Sequence, residues 1–201
     1  LVMPGKYAVS LEIVSEGKTE LLAEPVWFNA KVLENTTLPA SNRAELVAFQ
    51  QKSAELYRIM VGSENYADDL LKKVQVMKQT VYSLPSSNNL VMAKLDSLQN
   101  KLEDILFAFN GEKPKASAEE VPPAPVSLNS RLGVLVWTHW RSTSEITGNQ
   151  KAAYEILLEE FAPVYNSLNE IKEKTLSEIE KMLDDANAPW TPGRLPKLNL
   201  N

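Results

Sequence analysis

Between Leu46 and Val81 the chain spells out one apolar helix face without a break. Leu46, Phe49, Ser53, Leu56, Met60, Ser63, Ala67, Leu70, Val74, Met77 and Val81 succeed one another at spacings of three and four residues, the period at which side chains line one side of an α-helix. Because the register never slips over about 40 residues, the spacing predicts a single helix on the order of 60 Å long, aligned throughout with a partner. Gly62 weakens the local propensity by roughly 1 kcal/mol relative to alanine, yet the seam continues in phase on both sides of it, so one helix is expected rather than two. Ser63 and Ala67, small residues near the middle, let a neighbouring helix approach closely.

Three further segments supply the neighbours. Ser83-Leu84-Pro85-Ser86-Ser87 ends the long helix, and a serine cap opens a second one carrying Val91, Leu95, Leu98, Leu102, Ile105 and Phe109; so short a connection implies an antiparallel hairpin. Residues 110–127, rich in Pro, Ala, Glu and Lys, read as a crossover loop or linker. A shorter third helix places Leu128, Leu132, Leu135, Val136 and His139 on one side. The fourth begins near Thr147 and carries Ala153, Leu157, Phe161, Val164, Leu168, Ile171, Thr175, Ile179 and Met182. Pro163 lies inside it, where loss of one backbone donor favours a bend. The face resumes in phase beyond the proline, so a bent helix is expected rather than a break. Together these segments predict a mainly α fold, an antiparallel four-helix bundle over residues 38–201 with a long first helix. Its proline-rich tail, residues 188–201, cannot extend a helix, and Trp190 is expected to plug one end of the bundle.

The first 37 residues differ in period. Tyr7, Val9, Leu11 and Ile13 alternate with Lys6, Ala8, Ser10 and Glu12, the signature of a half-buried strand. Ser15-Glu16-Gly17-Lys18 turns the chain, Thr19 to Glu24 returns, and a third short strand is expected after Pro25 through Val26, Phe28, Ala30 and Val32. A β-meander or hairpin of this size has little core of its own. It must dock on the rest of the chain, pair with another chain, or be the remnant of a larger sandwich.

Composition removes several kinds of chemistry. The 201 residues contain no cysteine and a single histidine, and 21 basic residues are scattered among 26 acidic ones for a net charge of −5. Thiolate zinc sites and cysteine nucleophiles are thereby excluded, and the absence of a clustered basic surface argues against nucleic acid as a partner. No apolar run approaches the roughly 20 residues needed to span a bilayer. Two-metal carboxylate sites of helical bundles need Glu-x-x-His pairs, and none is present. The acidic pairs Glu119-Glu120, Glu159-Glu160 and Asp184-Asp185 are expected to be solvated. No phosphate-binding glycine loop, dinucleotide motif or calcium loop occurs, so no cofactor is expected.

The densest cluster of chemically versatile residues is "LVWTHWRSTSEITGNQ", residues 135–150. His139 could act there as a general base with Ser142, Ser144 or Glu145. No nucleophile elbow or oxyanion-type glycine loop accompanies the serines. The favoured reading is a histidine in the last turn of a helix, where a cation suits the dipole, followed by a polar turn and a Thr147 cap. Catalytic and metal-ligating residues are therefore expected to be absent. The residues with the best claim to a ligand contact are Trp137, His139, Trp140 and Trp190, since indole faces bury the apolar surface of sugars well. The long seam could equally take a helix from another protein or from a second copy.

The order "PGKYAVSLEIVSEGKTELLAEPVWF", long helix, hairpin helix, then "LNSRLGVLVWTHWRSTSEITGNQKAAYEILLEEFAPVYNSLNEI" resembles the C-terminal region of large bacterial sortilin-like, BNR-repeat β-propeller proteins, often labelled glycosyl hydrolases. The resemblance implies that residues 1–37 are a remnant of an immunoglobulin-like sandwich and that the parent protein is secreted or periplasmic. It also implies that any chemistry resides in a propeller outside this chain, and it transfers no catalytic residue to this region. The expected role is a non-catalytic helical accessory domain that packs against upstream domains of the parent and contacts a protein partner or itself. The alternative is a carbohydrate-binding or glycosidase-associated module using surface tryptophans.

Overall fold

The long seam forms one helix, α1 (Arg43–Tyr82), in a computed structural model that describes residues 2–33, 37–84, 89–112, 123–140 and 142–195. Asn42 caps its start by accepting from the Glu45 N–H at 3.1 Å. Every seam residue from Leu46 to Val81 is buried. Gly62 lies on the exposed side, with open space where a Cβ would stand. Gly62→Ala should therefore stabilise the protein by about 1 kcal/mol through backbone entropy alone, measurable as a raised urea midpoint with an unchanged slope.

Helix α2 (Asn89–Asn110) returns antiparallel to α1 and buries Val91, Leu95, Leu98, Leu102, Ile105 and Phe109. The serine cap expected before it falls at residues 86 and 87, outside the described residues, as does most of the 110–127 linker. Gly111 ends α2 in the left-handed region, φ +70°, and its N–H donates to the Phe107 carbonyl at 2.7 Å. Ser127 opens α3 (Leu128–His139), its hydroxyl accepting from the Ser130 N–H. Helix α4 (Gly148–Glu170) opens with a reciprocal capping box: Thr147 accepts from the Gln150 N–H, and Gln150 Oε1 accepts from the Thr147 N–H at 2.9 Å.

These helices form the four-helix bundle, with Phe109 of α2 meeting Phe161 of α4 edge-on at 6.1 Å between ring centres. Pro163 lies inside α4 without ending it. The irregularity in the backbone pattern falls later, in a π-helical turn at Ile171–Thr175 that leads into α5 (Leu176–Asp185). A π turn holds more residues than an α turn, which changes the phase of the apolar face along α5. Leu183, not Met182, is accordingly the fully buried residue near the end of α5.

The tail corrects two expectations. Trp190 is exposed, and the residues tucked against the bundle are Ala188, Thr191 and Arg194. Asn187, at φ 51°, reverses the chain. That reversal lets the Arg194 guanidinium donate to Asp184 Oδ1 at 2.5 Å, to the Ala188 carbonyl at 2.8 Å, to Thr191 Oγ1 at 3.2 Å and to the Pro189 carbonyl. A buried guanidinium needs these acceptors more than an indole needs cover. Asp184 is thus not a solvated member of an acidic pair. Glu160 lies 2.6 Å from the Arg131 guanidinium but keeps a partly exposed side chain, and Glu119 and Glu120 lie outside the described residues.

Residues N-terminal to the bundle form a two-stranded antiparallel hairpin, β1 (Gly5–Ser15) and β2 (Lys18–Ala30). Glu16 and Gly17, both at positive φ, make the two-residue turn that matches strand twist. The expected break at Pro25 does not occur, so two strands, rather than three, stand among the described residues. The register shifts between Val9↔Val26 and Leu11↔Ala23, which sets both Glu24 and Pro25 opposite Ser10, a bulge of one extra residue. A bulge on an edge strand tolerates the missing donor.

Candidate functional site

His139 is the residue on which a catalytic reading would rest, and the fold buries it. As the last residue of α3 it points inward, only 4% exposed. Its ring meets Phe49 edge-on at 5.1 Å. Neither ring nitrogen has a hydrogen-bond partner, so no serine or carboxylate among the described residues is placed to exchange a proton with it. Ser142 Oγ instead accepts from the Ser144 N–H, and Glu145 accepts from the Ser41 hydroxyl at 2.7 Å. The cluster is a structural clasp. Ala40 N–H donates to the Thr143 carbonyl at 2.9 Å, and Gln50 Nε2 donates to the His139 carbonyl at 3.0 Å, pinning the α3–α4 turn to the start of α1. Gln50 has no signal in the sequence because its position adjoins the apolar seam without belonging to it.

Burial holds the His139 pKa below its usual value of 6.5, contrary to the expectation of a cation at the helix end. Burial disfavours the charged imidazole in the fold, whereas the unfolded chain protonates freely. Its contribution to stability is therefore complete above about pH 6.5 and declines as the pH falls below that value toward the lowered folded pKa. Urea unfolding between pH 7.5 and about 5 should show this loss, and His139→Leu should flatten the slope attributable to this group.

Among the described residues, two exposed apolar surfaces bear on ligand or partner contact. The first is a groove of about 380 Å³ lined by Tyr57 of α1 and by Gly133, Val136, Trp137 and Trp140 along α3. Trp137 and Trp140 are 70% and 62% exposed. Trp190 does not join them. Its segment packs at Gly193 against the Lys73 side chain, sixteen residues along α1 from Tyr57 and so roughly 24 Å away by helical rise. The indoles expected to act together thus divide between two regions of the bundle.

The second surface is the hairpin. Directly opposed residues of an antiparallel pair share a face, so Tyr7↔Phe28, Val9↔Val26 and Leu11↔Ala23 gather their side chains on one side. Tyr7 stacks on Phe28 at 6.0 Å. Val9 and Leu11 are nevertheless 60% and 61% exposed, and Ile13, Val26 and Phe28 are exposed with them. None of the described helices covers this face. Trp27 lies on the opposite face beneath the Lys6 ammonium, 4.9 Å from its ring centre. Among the described residues no group of His, Cys, Asp or Glu could hold a metal ion, and no helix is long and apolar enough to cross a membrane.

No family model matches the chain, and neither the curated proteins nor the solved structures contain a match.

Proposed function

We propose that this chain is a non-catalytic helical accessory domain at the C-terminus of a secreted multidomain propeller protein, working by burial of apolar surface rather than by chemistry. The observation that carries the reading is the contrast between the two parts of the chain. The bundle closes over its own seam, whereas the hairpin keeps the alternation of a half-buried sheet and has no described residue packed over its apolar face. An isolated two-stranded hairpin is marginal in water, and a contiguous apolar patch of this kind marks a docking surface. The neighbour that suits it is another sheet of the parent protein, packed face to face about 10 Å away. The test is hydrogen exchange of β1 and β2 in the intact parent. Slow exchange there that becomes fast on introducing Leu11→Lys supports the reading, and fast exchange in both sinks it.

A second reading, carbohydrate recognition, is favoured by the exposure of Trp137 and Trp140 beside Tyr57. Against it, among the described residues the only polar side-chain atoms in that lining are the Tyr57 hydroxyl and the indole N–H groups, whereas sugar sites combine stacking with several fixed polar partners. All four tryptophans are exposed, so their emission should be red-shifted and quenched by iodide without any ligand. Protection from quenching by mixed polysaccharide fragments, lost in Trp137→Ala, would move this reading to first place. Unchanged quenching would remove it.

A further inference from the structure

We infer that β1 is the growing edge of this sheet and that it pairs antiparallel with β1 of a second copy about a two-fold axis at Val9. The inference rests on the reading of the hairpin as an unfinished sheet, but it concerns the edge of that sheet rather than its face.

The two outer edges are unlike. β2 contains Pro25, which has no donor, and both register irregularities insert their extra residue into β2, after Val26↔Val9 and again between Leu11↔Ala23 and Glu12↔Leu21. Proline and bulges are the devices by which sheets protect an edge from further pairing. β1 has neither: from Gly5 to Ser15 it contains no proline, it alternates from Lys6 to Ile13, and it has no strand on its other side among the described residues.

What remains on β1 to limit pairing is charge, namely Lys6 and Glu12. These two residues select the partner. In an antiparallel pairing of identical strands about Val9, Lys6 of one copy stands opposite Glu12 of the other, twice by symmetry. Tyr7 then faces Leu11, Val9 faces Val9, and Ala8 faces Ser10. Each face thus meets its like, Lys6, Ala8, Ser10 and Glu12 on one side and Tyr7, Val9 and Leu11 on the other. No other register does this. A slip of one residue sets the apolar face of one strand against the polar face of its mate. A shift of the axis to Ala8 or Ser10 keeps the faces but parts the charges, and the Ser10 axis leaves Glu12 opposite Ala8 and Lys6 opposite Val14. The product is a four-stranded sheet with both Pro25-bearing strands outermost, an isologous interface that closes at two copies.

The chain has no cysteine, which makes the register directly readable. Opposed Cα atoms of an antiparallel pair lie about 4.5–5.5 Å apart, within disulfide range. Val9→Cys should therefore form a disulfide-linked dimer on mild oxidation, whereas Ile13→Cys, whose two copies would stand roughly 27 Å apart along the strands, should not. By sedimentation the cysteine-free chain should be dimeric at high concentration. Lys6→Glu or Glu12→Lys alone should weaken that dimer by about tenfold or more through two like-charge contacts, and the double exchange should restore it. Helix content by circular dichroism serves as the folding control, because these substitutions lie outside the bundle. A monomer at every concentration, equal cross-linking at the two positions, or a dimer indifferent to the charge reversals each overturns the inference. None of those results touches the face-packing reading, which is decided by exchange in the intact parent.

Discussion

Arg194→Ala is expected to destabilise the protein by about 3 kcal/mol, although the residue lies beyond the last helix. The side chain is buried and its four acceptors are Asp184, Ala188, Pro189 and Thr191. Truncation leaves the half-buried Asp184 carboxylate without its cation and two inward carbonyls without a donor. The penalty is that of unsatisfied buried groups rather than of a lost surface ion pair. For a chain of this size the loss should appear as a melting temperature lower by about 10 °C. Arg194→Lys should recover only part of it, since a single ammonium cannot reach acceptors arranged around a planar fork. A drop of less than about 1 kcal/mol for the alanine variant would mean that the tail is not fastened in this way.

Phe109→Ala should be the most damaging single change within the bundle, at about 4 kcal/mol. The ring is fully buried at the end of α2 and meets Phe161 of α4, so its removal opens a cavity where two helices meet. The contrast lies with Phe28→Ala. Phe28 is an aromatic of equal size that stacks on Tyr7 and is 48% exposed. Its truncation should change the bundle's unfolding by less than about 0.5 kcal/mol. Calorimetry on the two variants checks both magnitudes.

The helical part of the fold is legible in the sequence because burial on one face imposes a period that the residues cannot hide. All of the α1 and α2 positions marked by spacing are buried, and the Thr147 cap sits where a threonine three residues before Gln150 places it. The features that escape such a reading are decided by single polar groups. Gln50 is buried because backbone carbonyls of the α3–α4 turn need a donor. Arg194 displaces Trp190 from the bundle for the same reason, and no periodic pattern marks either residue. Pro25 reads as a strand boundary because its missing donor would break a central strand, but β2 is an edge. The histidine cluster looks chemical in composition and is a helix end in space. The hairpin presents the reverse case: its alternation is that of a half-buried face, and the cover for that face is not among the described helices of this chain.

The most direct test of the central claim is hydrogen–deuterium exchange on the 201-residue chain alone, at a concentration low enough to keep it monomeric. Amides in the middle of α1 and α2 should exchange only through global unfolding, while those of β1 and β2 exchange orders of magnitude faster, as expected of a sheet awaiting its neighbours. Hairpin amides as protected as those of α1 in the monomer would contradict the account, because the hairpin would then be completed within this chain.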